Sequence, residues 1–346
     1  RGFCVGLDIR HLSELPQAVV IQFLEQQQGA PASHTRWKYY DEDFNAGRLR
    51  GFVAMDGSDM VGLLGLIPFH YSLNKETVET SWTCDWFVDA ERASGATGIA
   101  LLKAATAAHD SVYHTGGGEV TKQLFGRLAN FTEDDAVQEY RTILRMEYFV
   151  NRAKKRKPWI NRLPIGLAGN IPLGRLNRES ASVDDLCVPG IADFVGSMVD
   201  RAEPTQGFHP MYDRNYLEWF SRNPDIECYS CSVSQHAAAV VWHPLRDYPR
   251  QTQSEWRLAF LTDSEAGAEL SELTDVAVAF AKSKGANSVK ALISREDERL
   301  SRALLSAKFS QSRQTPFFAF YKQPESMPQA SMSGLSFLDA DNATLY

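Results

Sequence analysis

Apolar and polar positions alternate along the chain in two rhythms, and their order predicts its elements. Over His11–Gln27, Leu15, Val19, Phe23 and Leu24 recur at helical spacing. A short polar loop then leads to the aromatic Trp37–Tyr40. Gly51–Asp56 and Met60–Ile67 read as strands, and the Asp56-Gly57-Ser58-Asp59 turn between them is a strong hairpin signal. Thr77–Val88 is strand-like, rich in Thr, Val and aromatic residues. A Gly-bearing turn, Asp89–Gly98, opens into a helix at Ile99–His109. Val112–Thr115 reads as a strand, Val120–Leu128 as a helix and Ala136–Val150 as strand-like alternation.

The same order then returns. Pro189–Arg201 and Tyr212–Phe220 precede paired strands at Cys228–Val233 and Ala237–His243 and a third at Glu255–Leu261. Glu269–Lys284 is an amphipathic helix ending at Gly285, a natural C-cap. Strand Ser288–Ile293, helix Arg299–Ala307 and the aromatic strand Thr315–Tyr321 complete it. Trp37 and Trp219 are 182 residues apart, about half the chain. The repeat is one of pattern, not of identity. Mixed strands with segregated helices predict an α/β or α+β layered fold. The expected organisation is a first domain over 1–152, a linker over 153–180, a second domain over 181–325 and a tail over 326–346. The linker opens on the basic run Ala153–Lys157, read as a solvated face, and continues rich in Pro, Gly and Asn.

A length of 346 residues fits two domains, and 44% hydrophobic with 23% charged residues is ordinary globular composition. A net charge of −7 argues against a nucleic-acid partner, which needs a basic face. No apolar run reaches the roughly 20 residues of a membrane helix. Arg1–Asp8 lacks the apolar core of a signal peptide, and Arg1 is not a natural start, so residues are expected to precede it. Five cysteines, Cys4, Cys84, Cys187, Cys228 and Cys231, thinly spread, suit a reducing cytoplasm. Cys228-Tyr-Ser-Cys231 has knuckle spacing, but in a strand its thiols would face opposite ways, so packing is expected and no metal.

Val88–Leu102 (VDAERASGATGIALL) carries the chemistry. A strand enters a turn of small residues and then a helix, whose free N–H groups and dipole favour an anion. Ser94, Gly95, Ala96, Thr97 and Gly98 stand where a phosphate would be met, with Phe87, Val88 and Arg92 beside them. A helix entry without a ligand is the structural alternative. No Gly-Lys-Ser/Thr follows, so this is not a P-loop, and the Gly-x-Gly-x-x-Gly of dinucleotide folds is absent. Laid over the acyl-coenzyme A motif Val-x-Pro-x-Tyr-Arg-Gly-x-Gly-x-Gly-x-x-Leu-Leu, the segment matches at Val88, Gly98, Leu101 and Leu102. The motif's arginine falls on Ala93, its first two glycines on Ser94 and Ala96, and its proline on Ala90; a one-residue shift brings in Arg92 and Gly95. With the preceding tryptophan, the Asp-Gly hairpin and the Gly116–Glu119 turn in matching order, the chain resembles the GNAT superfamily of N-acetyltransferases, in tandem.

That resemblance implies an acyl-coenzyme A donor and a small-molecule amine acceptor, in the nearest subgroup an amino sugar on a nucleotide for surface polysaccharide. Aminoacyl-tRNA-dependent transfer to a peptidoglycan precursor and a non-catalytic binding module are the alternatives. A cytoplasmic protein is expected, and a homodimer is compatible. In the second half the turn Ser264–Glu269 carries two glutamates, which would repel a pyrophosphate, so that half is expected to shape the acceptor pocket. Direct attack by an amine needs a base, N–H donors for an oxyanion and an acid near sulfur. Asp85, among Trp82, Cys84, Trp86 and Phe87, is the first base candidate, its pKa expected to rise on burial. Pairing with an arginine or a backbone N–H is its structural alternative. His70 and His209 are further catalytic candidates, against packed or surface roles. Tyr113 and Tyr140 are weighed as the acid against core positions. Glu119 is an acceptor contact or a helix cap, as is Thr121. Asp339 and Asp341 hold acceptor hydroxyls if the tail docks. Cys84 is expected to be an inert buried thiol.

Overall fold

The computed structural model describes residues 7–45, 47–93, 95–115, 119–125, 128, 131–156, 183–201, 208–247, 252–262 and 267–321. Its architecture is mixed α/β, and its order repeats as expected. The first half runs through a short strand β1 (Asp8–His11), helices α1 (Gln17–Gln28), α2 (Ala32–Tyr40) and α3 (Glu42–Asn45), strands β2 (Gly51–Asp56), β3 (Asp59–Leu73) and β4 (Glu76–Val88), helix α4 (Gly95–Ala108), β5 (Ser111–Thr115), α5 (Glu119–Phe125) and β6 (Phe131–Ile143). After α6 (Glu147–Arg156) the second half runs β7 (Cys187–Pro189), α7 (Asp193–Asp200), β8 (Phe208–Met211), α8 (Arg214–Ser221), β9 (Ile226–Ser232), β10 (Ala237–Pro244), β11 (Glu255–Thr262), α9 (Glu269–Ser283), β12 (Ser288–Ser294), α10 (Glu298–Ser306) and β13 (Ser310–Tyr321).

Three elements differ from the expectation. His11 ends a strand paired with β2 and caps a single 3-10 turn, Leu12–Glu14; the α-helix begins six residues later, after Pro16. The alternation over Ala136–Val150 covers two elements, because the chain leaves the sheet at Ile143 and winds into α6 from Glu147. The basic residues Ala153–Arg156, read as the start of a linker, are the last turn of that helix.

The halves are not separate sheets. The strand order is β1-β2-β3-β4-β5-β13-β6-β12-β11-β10-β9-β7, with β8 added beside β3. The last strand of each half crosses into the other: β13 pairs antiparallel with β5, and β6 pairs antiparallel with β12. The exchanged strands pair with each other, Gln311 opposite Tyr140 and Phe320 opposite Phe131. A domain boundary drawn by sequence position at residue 152 therefore does not separate the folded halves.

The deepest contact between the halves lies where the repeats correspond. Trp37 on α2 and Trp219 on α8 stack with centroids 4.6 Å apart and planes 8° from parallel. Trp37 Nε1 donates to the Trp219 carbonyl at 2.6 Å, and Trp219 Nε1 donates to the Trp37 carbonyl at 3.0 Å. Each indole thus satisfies a carbonyl in the last turn of the other's helix, where intrahelical partners run out. Phe44 stacks on Trp219 at 4.4 Å, and the buried Arg50 guanidinium stands 4.9 Å from the Phe44 ring. Around this core, His34 Nδ1 and Asp225 Oδ2 meet at 2.7 Å, and Arg222 forks onto Asp41 at 3.0 and 3.2 Å.

Cys187 and Cys231, expected as separate thiols, stand opposite each other on β7 and β9 and are joined by a disulfide. Cys228 faces the other side, buried, with its thiol pushed up to about 12 by burial. Among the described residues no helix is long and apolar enough to cross a membrane.

Trp219→Ala removes a stacked, doubly hydrogen-bonded ring from a buried site, and should cost about 3–5 kcal/mol in denaturant unfolding. The disulfide closes a separation of 44 residues, so Cys187→Ala should lower stability by about 2–4 kcal/mol under non-reducing conditions only. Alkylation in denaturant should leave Cys187 and Cys231 unmodified until a reductant is added.

Candidate active site

The candidate site is built where β4 and β5 part. Their parallel pairing holds at Ser81 opposite Val112 and Trp82 opposite Tyr113, and goes no further, although β4 runs on to Val88 and β5 to Thr115. Below the parting, Thr80 Oγ1 donates to the Ser111 carbonyl at 2.7 Å. At the parting, Thr83 Oγ1 bonds the Tyr113 carbonyl at 3.2 Å and His114 Nδ1 at 2.7 Å. Beyond these bonds the two strands no longer pair, and their carboxyl ends, here called the slot, are the place in a parallel sheet where ligands are taken.

One side of the slot is bent by a bulge. Leu63 faces Phe87 and Gly65 faces Cys84, so Asp85 and Trp86 together oppose Leu64. Asp85 takes a left-handed backbone, φ 45°, which aspartate tolerates better than most residues. The extra residue reverses which face the strand presents. Cys84 and Asp85 both turn toward Tyr39 of α2, whereas Trp86 packs on Phe125 and Val88 lies against Gly98 of α4. Without the bulge, Trp86 and Val88 would face the α2 side. Gly65 makes room for it, since a Cβ there would collide with the Tyr39 hydroxyl and the Cys84 sulfur.

Asp85 is buried and doubly held. Lys38 Nζ lies 2.8 Å from Asp85 Oδ2, both side chains at most 5% exposed, and the Tyr39 hydroxyl donates to the same oxygen at 2.5 Å. The expected rise in its pKa is overturned. Burial does push it up, but the Lys38 charge, the hydrogen bonds from Lys38 and Tyr39, and His34 outweigh burial and hold the carboxyl below its usual range. The Tyr39 phenol is driven well above its ordinary value by burial and by the Asp85 charge. Asp85 is thus a fixed anion with two partners, a lysine and a tyrosine in place of the arginine or backbone N–H weighed from the sequence.

The helix that receives the turn is α4. Its first turn holds no acidic residue. Thr97 and Gly98 are buried at its start, and a Cβ on Gly98 would approach the Trp86 indole nitrogen to 3.3 Å. Asp89 Oδ1 accepts from the Glu91 N–H at 3.0 Å, and Ala93 N–H bonds the Asp89 carbonyl at 2.8 Å, which shapes the approach. Arg92 bonds Asp59 of the β2–β3 hairpin at 3.0 Å and leaves over half of its side chain in solvent. Phe87 packs beside the main core. Ser94, Asp339 and Asp341 lie outside the described residues, as do the side chains of Glu119 and His209 and the burial of Gly95.

In the second half the equivalent helix start is closed. Glu269, the first residue of α9, accepts from the Gly267 N–H at 3.2 Å, and backbone N–H groups hold its carboxyl below the usual range. Its companion Glu265 lies outside the described residues.

The other catalytic candidates stand apart from the slot. His70 is opposite Glu79 on β4, six residues short of Asp85 or about 20 Å along the strand. It faces Met211 of β8 and sits 3.7 Å from Asp213, the residue that caps α8. His209 is opposite Ser72 on the same ribbon. Tyr113 is fully buried among Phe69, Tyr71 and Trp82, and Tyr140 bonds Ser301 at 2.7 Å on the far half, so neither lies at the slot. His114, not singled out from sequence, is buried at the end of β5 with its pKa pushed down to about 4 by burial, so it is neutral at pH 7. Lys38 and Tyr39 were equally missed; their one signal is a lysine inside an aromatic run, Trp37-Lys38-Tyr39-Tyr40.

No protein-family model matches the chain, and no curated protein does. Solved structures do match. A GCN5-related N-acetyltransferase from Anabaena variabilis superposes with a TM-score of 0.54 at 10% identity, over 91% of this chain and 72% of its own. Saccharomyces cerevisiae N-myristoyltransferase with bound myristoyl-CoA superposes with a TM-score of 0.51 at 11% identity, over 99% of this chain and 84% of its own. The chain has a tandem GNAT fold. Within that fold, the parted strands, the bulge and the start of α4 all fall in the first half.

Asp85→Asn leaves the Lys38 charge buried without its counterion and should cost about 3–5 kcal/mol at pH 7. Because the folded carboxyl is held below 3.8, its contribution is complete above that value and fades as pH falls through the folded-state pKa. The gap in denaturant midpoint between wild type and Asp85→Asn should therefore be constant near neutrality and shrink in acid.

Proposed function

We propose that the protein transfers an acyl group from a coenzyme A thioester to a primary amine, with the donor held in the first half. The observation that carries this reading is the junction of the parted β4–β5 pair with the start of α4, whose first turn has no acidic residue, against the second half, where Glu269 occupies the equivalent helix start. Both superposed neighbours are N-acyltransferases by description, and one was solved with an acyl-CoA bound.

In this reading the pyrophosphate rests on the N-terminus of α4, at Ser94, Gly95, Ala96, Thr97 and Gly98, with Arg92 at its solvent side. The pantetheine arm runs along the bulged end of β4 past Phe87 and Val88, and the thioester enters the slot. The bulge frees backbone from the β3 ladder beside Asp85 and Trp86, where a donor to the thioester oxygen is needed. Asp85 keeps that backbone in place. His114 closes the end of β5 as a neutral ring bonded to Thr83 Oγ1 at 2.7 Å. The acceptor enters from the second half, with Glu119 and the tail aspartates Asp339 and Asp341 as its contacts. An amino sugar on a nucleotide is the acceptor the sequence favours.

Isothermal titration with acetyl-CoA and longer acyl-CoAs tests the donor. Micromolar binding is expected. Gly95→Glu, which copies the closed second half, should weaken it about tenfold or more without unfolding the chain. No heat with any acyl-CoA would overturn the reading.

A further inference from the structure

Three consecutive residues of α2 face both halves of the molecule. Trp37 exchanges hydrogen bonds with Trp219 of the second half. Lys38 Nζ and the Tyr39 hydroxyl meet the same oxygen of Asp85, at 2.8 and 2.5 Å, in the bulge of β4. The helix end is also pinned to the strand opposite that bulge. Arg50, buried, donates through Nε to the Leu66 carbonyl of β3 at 3.0 Å and through Nη2 to the Lys38 carbonyl. Gly65, beside Leu66, leaves room for the Tyr39 hydroxyl. The end of α2 is therefore a fixed point next to the bulge, and Lys38 and Tyr39 reach from it to β4.

A strand that loses its bulge, or moves it by one residue, turns over the side chains in between. In β4 the cost of such a slip falls on Asp85. In the observed register Cys84 and Asp85 both face α2, and Trp86 packs on Phe125. In a regular strand Asp85 would face the α4 layer, built from Leu64, Leu101 and Phe125. There the carboxylate would lose both Lys38 and Tyr39 and lie among apolar groups, which strongly disfavours that register. A neutral pair at positions 38 and 85 would hold the same helix against the same strand without that penalty. Buried ion pairs add little net stability over uncharged residues of equal volume; what this one adds is the choice of a single register.

We infer that Lys38 is a positioning residue for acyl transfer: through Asp85 it fixes the bulge whose backbone N–H polarises the thioester carbonyl. The inference rests on the donor reading proposed above. Such a donor must stand about 2.7–3.1 Å from the oxygen that gains charge, and a bulge about 0.5 Å out of place weakens the contact. The Lys38 side chain is 1% exposed and acts from behind the strand. Because the same helix carries Trp37, the donor strand is set against the second half as well.

The test is isotope-edited infrared difference spectroscopy of acetyl-CoA labelled with carbon-13 at the thioester carbonyl, which needs no acceptor. In the wild-type complex the carbonyl stretch should lie below that of free acetyl-CoA, as a hydrogen-bonded, polarised carbonyl requires. Lys38→Met/Asp85→Asn carries neither charge, nearly keeps both volumes, and keeps at 85 a residue that tolerates the left-handed backbone. It should fold, bind acetyl-CoA as tightly as wild type in calorimetry, and show the band moved back toward its free position. Tyr39→Phe, which retains the ion pair, should show a smaller shift in the same direction, and it keeps the test decisive if the double variant fails to fold. A band lowered in wild type and equally low in every variant that folds would overturn the inference and leave the pair structural. Loss of acetyl-CoA binding in a variant with the wild-type unfolding midpoint would also overturn it, since a positioning residue leaves the α4 contacts in place. So would a wild-type complex whose band is not lowered, with the donor reading intact. Absence of acetyl-CoA binding by wild type would instead overturn the donor reading, and this inference with it.

Discussion

The stacked pair Trp37–Trp219 is the contact on which the arrangement of the two halves depends. Each indole donates to a carbonyl in the last turn of the other's helix, so the two helix ends are tied across the halves. Phe44 and Arg50 extend the stack into the start of β2, and Lys38 and Tyr39, the next two residues on α2, reach from it to Asp85. The joint between halves and the wall of the candidate site are thus two sides of one short helix. A shift of α2 relative to α8 would pull on the bulge directly.

The bulge explains why a charged residue sits in an aromatic strand. Inserting one residue into β4 turns Trp86 and Val88 onto α4 and brings Asp85 to the α2 side, where water is excluded. A buried carboxylate there is tolerable because Lys38 and Tyr39 meet it at hydrogen-bond distance. Held by both, it ties the bulge to α2.

The repeat is symmetrical in backbone and asymmetrical in chemistry. Exchange of β6 and β13 gives each half a last strand from the other. On that shared frame the first turn of α4 carries no acidic residue and the row at the parallel pair is apolar, while in the second half Glu269 stands at the helix start and the matching row holds Arg257, Lys290 and Arg141.

The order of elements, the hairpin at Asp56–Asp59, the strand–turn–helix at Val88–Leu102 and the twofold repeat were legible in the sequence, because hydrophobic period and turn chemistry are local properties. The 182-residue spacing of Trp37 and Trp219 was legible too, but not that the rings would meet. Strand exchange could not be read, since β6 and β13 alternate alike whichever half they join. Nor could the state of Asp85. Its aromatic neighbours in sequence predicted a raised pKa, while its ionisation was decided by Lys38 and Tyr39, more than forty residues away in the chain. The disulfide, the reversal of face along β4 and the cationic row likewise arise from register between strands distant in sequence. Local patterning set the elements; which charges and thiols became neighbours was set by tertiary packing.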